Sequence, residues 1–422
     1  MADIDIGKAP PNSAVLPFYA TGAGAFWILC FLLFISTDAL SQHYFNPHLL
    51  AIVHTAALGW GTMIIFGAAH QLLPVVCERD LFSPVIASLC WYTLTGGTAI
   101  LVFSFWTFTT GWLMISGGSL VVFSALTYFI NALLTSRICR HYSVVRLFIV
   151  TSATWLMFTV TVGLLMTINL SYPFFTKNHL DILKLHAHAG LAGWFLQLIT
   201  GVSSKLVPMF LLGKSAKEKL LLYACVLQNA GLLLFLTESY FGSITSARIL
   251  LYAALVAAGV VCWFLYLYDT FRNRVRKKTD IQMKQTFVAL LCLAVAIAMI
   301  PVVVNARGYH WTVLYGTFAF MGWITGIILG KTFKTLPFIV WNGHYKSLSG
   351  KVKVPLPKHL YSEPMVQWQF RIFIIALLFL ATAILMNNVI VFRIASGLWL
   401  ILSTLYFVNV MKVLLHKTKI LS

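Results

Sequence analysis

Windows of 20 or more residues almost free of charge recur along the whole chain, and no other feature narrows its fold so far. Wound as a helix, each is long enough to cross a hydrocarbon layer about 30 Å thick. Inside that layer every backbone N–H and C=O must be satisfied within the chain, which leaves helices or closed barrels. Unbroken apolar runs of this length, without period-two alternation, predict helices. Twelve are counted, the first near 14–36 and the last near 391–415. Of the 422 residues 60% are apolar and 10% charged, outside the range of soluble globular domains. The first eleven residues carry two Asp, two Pro and no apolar core, so no cleavable signal peptide is expected. The expectation is one all-α, polytopic membrane domain over 1–422.

A formal charge of +19 would suit a nucleic-acid binder, but its distribution does not. Twelve spans put both termini and the even-numbered loops on one side, and 24 of the 30 Lys and Arg fall there. The other side receives Lys177, Lys184, Arg248, Arg307 and Arg393, and Lys205 lies within a span. The positive-inside rule then predicts both termini in the cytoplasm, in a membrane such as the bacterial inner membrane. The run RNRVRKK at 272–278 and the loop containing VKVPLPK are expected near anionic lipid headgroups, with no nucleic-acid partner. Seven cysteines, at 30, 77, 90, 139, 225, 262 and 292, form no CxxC or CxxCH pattern. They read as buried, reduced packing residues.

Three spans align without gaps on a Trp: HTAALGWGTMIIFGAAHQLLP (54–74), HAGLAGWFLQLITGVSSKLVP (188–208) and TFAFMGWITGIILGKTFKTLP (317–337). Each has Gly-Trp, a Gly seven residues after the Trp and a Pro fourteen after it. The Trp residues, 60, 194 and 323, are four spans apart each time. An even number of spans per unit keeps successive units in the same orientation. The predicted architecture is therefore three parallel four-helix repeats, about 14–136, 144–268 and 284–415, around a pseudo-threefold axis.

His54 and His188 share one place in this repeat, six residues before the Trp, where the third copy has Thr317. His186 lies eight before it, where the other copies have Ile52 and Tyr315. A histidine inside a span is costly unless partnered and marks a functional site by default. His186 and His188 are separated by about 200° around a helix, so they face different neighbours. Imidazole is the usual axial ligand of b-type haem and also binds copper. Repeat equivalence suggests His54 and His188 as ligands of one haem, with His186 facing a second site, either haem or copper.

The motif HAHAGLAGW resembles the HxHAGxxGW pattern on the tenth span of haem-copper oxidase large subunits, particularly C-type oxidases and nitric oxide reductases. That resemblance implies twelve spans and an oxidoreductase, with the first His on the high-spin haem and the second on the low-spin haem. It also implies that the other low-spin ligand comes from span 2, in a motif similar to VHTAALGWG here. Respiratory electron transfer, or handling of oxygen or nitric oxide, would follow, with an electron-donor cytochrome or partner subunit. Here the pair sits on span 6, and LLLYACVLQNAGLLLFLTESYF (220–241) has no histidines where the family binds copper. The twelve-span NnrS proteins, with haem and copper, are a looser likeness.

Lys184 and Arg307, at the starts of spans 6 and 10, are suitably placed to pair with haem propionates or to snorkel. His43, His48, His179 and His310 flank span ends, where they would support an outer metal or lie solvated. His70 is expected to be structural or interfacial. Lys205, Lys331 and Lys334 are expected to snorkel toward headgroups. Two readings without haem chemistry stay open: a transporter or metal permease, and a structural subunit that keeps the fold alone.

Overall fold

The protein is described by a computed structural model covering residues 10–137, 143–306 and 308–418. Among these residues twelve helices are long and apolar enough to cross a membrane. They are α1 Asn12–Ile35, α2 Pro47–Cys77, α3 Pro84–Trp106, α4 Trp112–Arg137, α5 Val144–Ser171 and α6 His179–Leu211. The second half holds α7 Lys219–Phe241, α8 Ser246–Arg272, α9 Ile281–Asn305, α10 Tyr309–Tyr345, α11 Glu363–Met386 and α12 Val389–Leu414. The all-helical, polytopic expectation holds.

Local chemistry starts and stops these helices. Side-chain oxygens cap the free N–H groups of the first turn. Asn46 accepts from His48 at 3.0 Å to open α2, and Asn178 accepts from Leu180 at 2.8 Å to open α6. Proline lacks the N–H that would bond one turn back, so a helix is weak beyond it. Helices α2 and α6 each end three residues after their proline, Pro74 and Pro208. The following residues, Glu78 and Leu212, turn the chain through the left-handed region at φ 52° and 50°. In α10 the helix runs past Pro337 to Tyr345.

The three Gly-Trp spans are the inner helices. In their most apolar windows α2, α6 and α10 are 83%, 67% and 78% buried, against 22–44% for the other nine. Glycine allows this by close backbone approach. A Cβ on Gly193 would lie 2.6 Å from Trp155 in α5, and one on Gly322 would lie 2.8 Å from Cys292 in α9. The three helices also share a distortion. Residues Thr55–Thr62, Ala189–Leu196 and Phe318–Ile324 are wound as π-helix, starting five residues before the Trp each time. Such stretches are rare and gather at functional sites.

The buried Trp residues link the inner helices. The Trp60 indole donates to Thr325 Oγ1 at 3.0 Å, and the Trp194 indole donates to Thr62 Oγ1 at 3.1 Å. The Trp323 nitrogen is buried with no acceptor.

Two expectations need correction. Cys30, Cys90, Cys225, Cys262 and Cys292 are free, but Cys77 takes part in a disulfide. Cys139 lies outside the described residues. Lys205 is exposed, whereas Lys331 and Lys334 turn inward, where Met283 of α9 and Asp280, which caps its start, offer them partners.

Candidate functional site

His54 is the last α-helical residue of α2 before its π-helical stretch, toward the membrane face opposite the termini. Its Nδ1 lies 2.7 Å from the Leu50 carbonyl one turn back. A carbonyl can only accept, so Nδ1 carries the proton and Nε2 keeps its lone pair. His186 on α6 is held the same way, its Nδ1 donating to the Thr159 carbonyl of α5 at 3.0 Å. The two ring centroids are 6.5 Å apart and their planes 20° from parallel.

Neighbours fix both rings. Phe105 of α3 stacks on His54 at 4.5 Å. Gly163 of α5 makes room for His186, since a Cβ there would lie 2.9 Å from Cε1. Together they line a pocket with about 70 Å³ of water-accessible space, its walls otherwise mostly Leu, Val, Met and Phe, with Thr167 and two glycines. His179, the first residue of α6, also lines it and approaches Asn169 of α5 at 3.4 Å.

His188 is turned away from this pair. Its Nδ1 donates to the Lys184 carbonyl at 2.8 Å, which again leaves Nε2 free. The ring packs on Phe235 of α7 at 5.3 Å and faces Tyr315 of α10 at 6.2 Å, the planes 19° apart. Histidines 54 and 188, matched by the repeat, are therefore not brought together; His54 meets His186 instead. The physical reason is that matching positions have matching surroundings. Each faces a residue on another helix whose distance from its own Trp is different.

Lys184 is tied to Asp181 by an exposed ion pair of 2.9 Å. Arg307 lies outside the described residues. His48 bonds Ser36 Oγ at 2.8 Å and stacks on Trp106. His70 is fully buried, and its ring edges onto Tyr128 at 5.6 Å. Among the described residues no group of three or more His, Cys, Asp or Glu gathers as a metal site. Sequence reasoning passed over Phe105, Gly163 and Tyr315, which join the site only through contacts between helices. For Tyr315 one signal was present: it fills the repeat position that His186 fills on span 6.

The pair passes a simple test of fit. A metal–imidazole bond is about 2 Å long, and the ring centre lies about 1 Å beyond the nitrogen, so two imidazoles sharing one ion have centres about 6 Å apart. The observed 6.5 Å suits that spacing. Two imidazoles fall short of the three or four protein ligands that a bare copper or zinc ion takes, whereas haem brings its own ring of nitrogens. The donor set therefore fits haem and does not make a protein copper centre.

No protein-family model and no curated protein matches the chain in sequence. Among solved structures it is similar to a heme-copper terminal oxidase dimer determined by cryo-EM. The TM-score is 0.64, over 97% of this chain and 84% of that one, at 11% identity. The likeness is one of fold: the chain has a haem-copper oxidase-like, twelve-helix membrane fold.

Proposed function

We propose that the protein is a b-type haem protein of the membrane that works in electron transfer, with His54 and His186 as the axial pair of one haem. The observation that carries this is the pairing of the two imidazoles, each with Nδ1 held by a backbone carbonyl and Nε2 free. Such a hydrogen bond fixes the tautomer and makes the other nitrogen a better ligand. Haem supplies the one-electron chemistry when bound. The chain's own part is to orient the two rings, through Phe105 and Gly163, and to keep water out with Leu58, Leu101 and Val160. Were both imidazoles to bind the haem iron, the group would be suited to passing electrons and not to binding a substrate.

His188 offers one free imidazole nitrogen opposite Tyr315, which is no strong ligand when protonated. On the same reading it holds a second group with an open position, the place for oxygen or nitric oxide. The fold shared with a heme-copper terminal oxidase supports this assignment. The same proposal treats the three Gly-Trp spans as related units. His54, six before its Trp, faces His186, eight before its own; His188 and Tyr315 repeat that relation. The two Trp bonds also run from one unit to the residue two after the Trp of another.

The test is a visible spectrum of the purified protein, oxidised and dithionite-reduced, with haem extraction. A Soret band and a sharp reduced α band of six-coordinate b haem are expected. A colourless, folded preparation from haem-replete cells would sink the proposal and favour a transporter.

A further inference from the structure

Where α6, α9 and α10 end, on the side of the membrane that carries the termini, cations gather around an apolar ring. The Lys331 and Lys334 ammonium groups lie 5.1 and 4.9 Å from the centre of the Phe210 ring. Lys334 is ion-paired with Asp280, and its side chain is only 10% exposed. Arg276 shares the same carboxylate at 3.4 Å. Among the described residues Lys331 has no carboxylate within ion-pair distance; its hydrogen-bond partner is Met283 Sδ at 3.4 Å. A thioether is a weak acceptor for one of three ammonium donors.

The basic loop after α8 is fastened to this place. Val275 N–H donates to the Leu212 carbonyl at 3.0 Å and Arg276 N–H to the Leu211 carbonyl at 3.3 Å, both at the end of α6. Arg274 covers the Phe271 ring at 3.6 Å. Lys334 and Arg276 thus share the Asp280 carboxylate and Lys331 lies beside them, three basic side chains to one carboxylate next to an apolar ring. An ammonium there is costly without an anion, and aromatic faces offset only part of that cost.

We propose that this cluster binds the phosphate of an anionic glycerophospholipid, with Lys331 as the donor that makes the site and Lys334 and Arg276 as its flanks. The apolar Phe210 ring beside the charges favours a lipid over a free anion, because it suits the glycerol and acyl region below a headgroup. Basic pockets between helix ends are suited to such headgroups. The site is separate from the histidine pocket, which lies toward the opposite membrane face.

The experiment uses the full-length protein purified in mild detergent. Native mass spectrometry and thermal melting are read after adding phosphatidylglycerol, phosphatidylcholine or inorganic phosphate. Phosphatidylglycerol should remain bound and raise the melting temperature, while phosphatidylcholine and millimolar phosphate should not. Lys331→Met should weaken retention about fivefold, and Lys205→Gln, at an exposed lysine of the same helix end, should leave it unchanged. Equal protection of the wild-type protein by phosphatidylcholine overturns the proposal, as does equal protection by phosphate. Unchanged retention in a folded Lys331→Met protein also overturns it. Because no arm depends on haem, these results are independent of the proposed function.

Discussion

At the scale of single residues, the HAH motif shows what a sequence can and cannot disclose. Two histidines two apart must face different neighbours, and they do: His186 meets His54, and His188 meets Tyr315. Which partner each finds was not legible, because repeat alignment reports equivalence, and a contact between units joins positions that are not equivalent. The proposed pairing of His54 with His186 therefore differs from the one that alignment suggests, and mutagenesis can read the result. His54→Ala and His186→Ala should each abolish the six-coordinate low-spin spectrum, by haem loss or by conversion to a five-coordinate form. His188→Ala should keep that spectrum and lose ligand binding at the second site. Loss of the low-spin signal in His188→Ala with its survival in His186→Ala would restore the pairing by repeat. Gly163→Ala offers a subtler check, since its methyl would press on the His186 ring from 2.9 Å. It should shift or broaden the low-spin signal in a protein that still folds.

At the scale of elements, apolar run length located the helices well, because the bilayer imposes one minimum length on all of them. Glycine and proline spacing also singled out α2, α6 and α10, which prove to be the inner ones. The π-helical stretches were not legible. They depend on how each inner helix fits its neighbours, and no local residue preference announces them. The Trp–Thr bonds are a further tertiary feature, and they make a differential prediction. Trp60, Trp194 and Trp323 are all at most 2% exposed, so replacing each by Phe removes a similar volume. Only Trp60 and Trp194 lose a hydrogen bond; Trp323 has none to lose, and the corresponding residue two after Trp194 is Leu196, which offers no side-chain acceptor. Trp60→Phe and Trp194→Phe should each destabilise the protein by about 1 kcal/mol more than Trp323→Phe. Thermal melting in one detergent measures the difference, and equal losses would show that the bonds contribute nothing.

At the scale of the whole molecule, orientation in the membrane follows from charge, because helix packing is indifferent to which face meets the cytoplasm. Basic residues in short loops resist translocation during insertion, and acidic ones have little influence. The 24-to-5 distribution of Lys and Arg is therefore a strong directional bias. It is spread over several loops, so no single charge decides it. The cluster at 272–284 and the segment 339–367 lie on the heavily charged side with both termini. The His54–His186 pocket lies toward the lightly charged side, since α2 and α6 both start there. The expected arrangement puts the termini in the cytoplasm and the histidine layer near the outer face, where an extracytoplasmic electron donor can approach. Reporter fusions at the C-terminus and within 339–367 should be active only when the reporter requires the cytoplasm. A fusion within the short 173–178 segment, between α5 and α6, should give the opposite response. If the C-terminal reporter acted outside instead, the histidine pocket would face the cytoplasm, and an electron donor would have to be sought on that side.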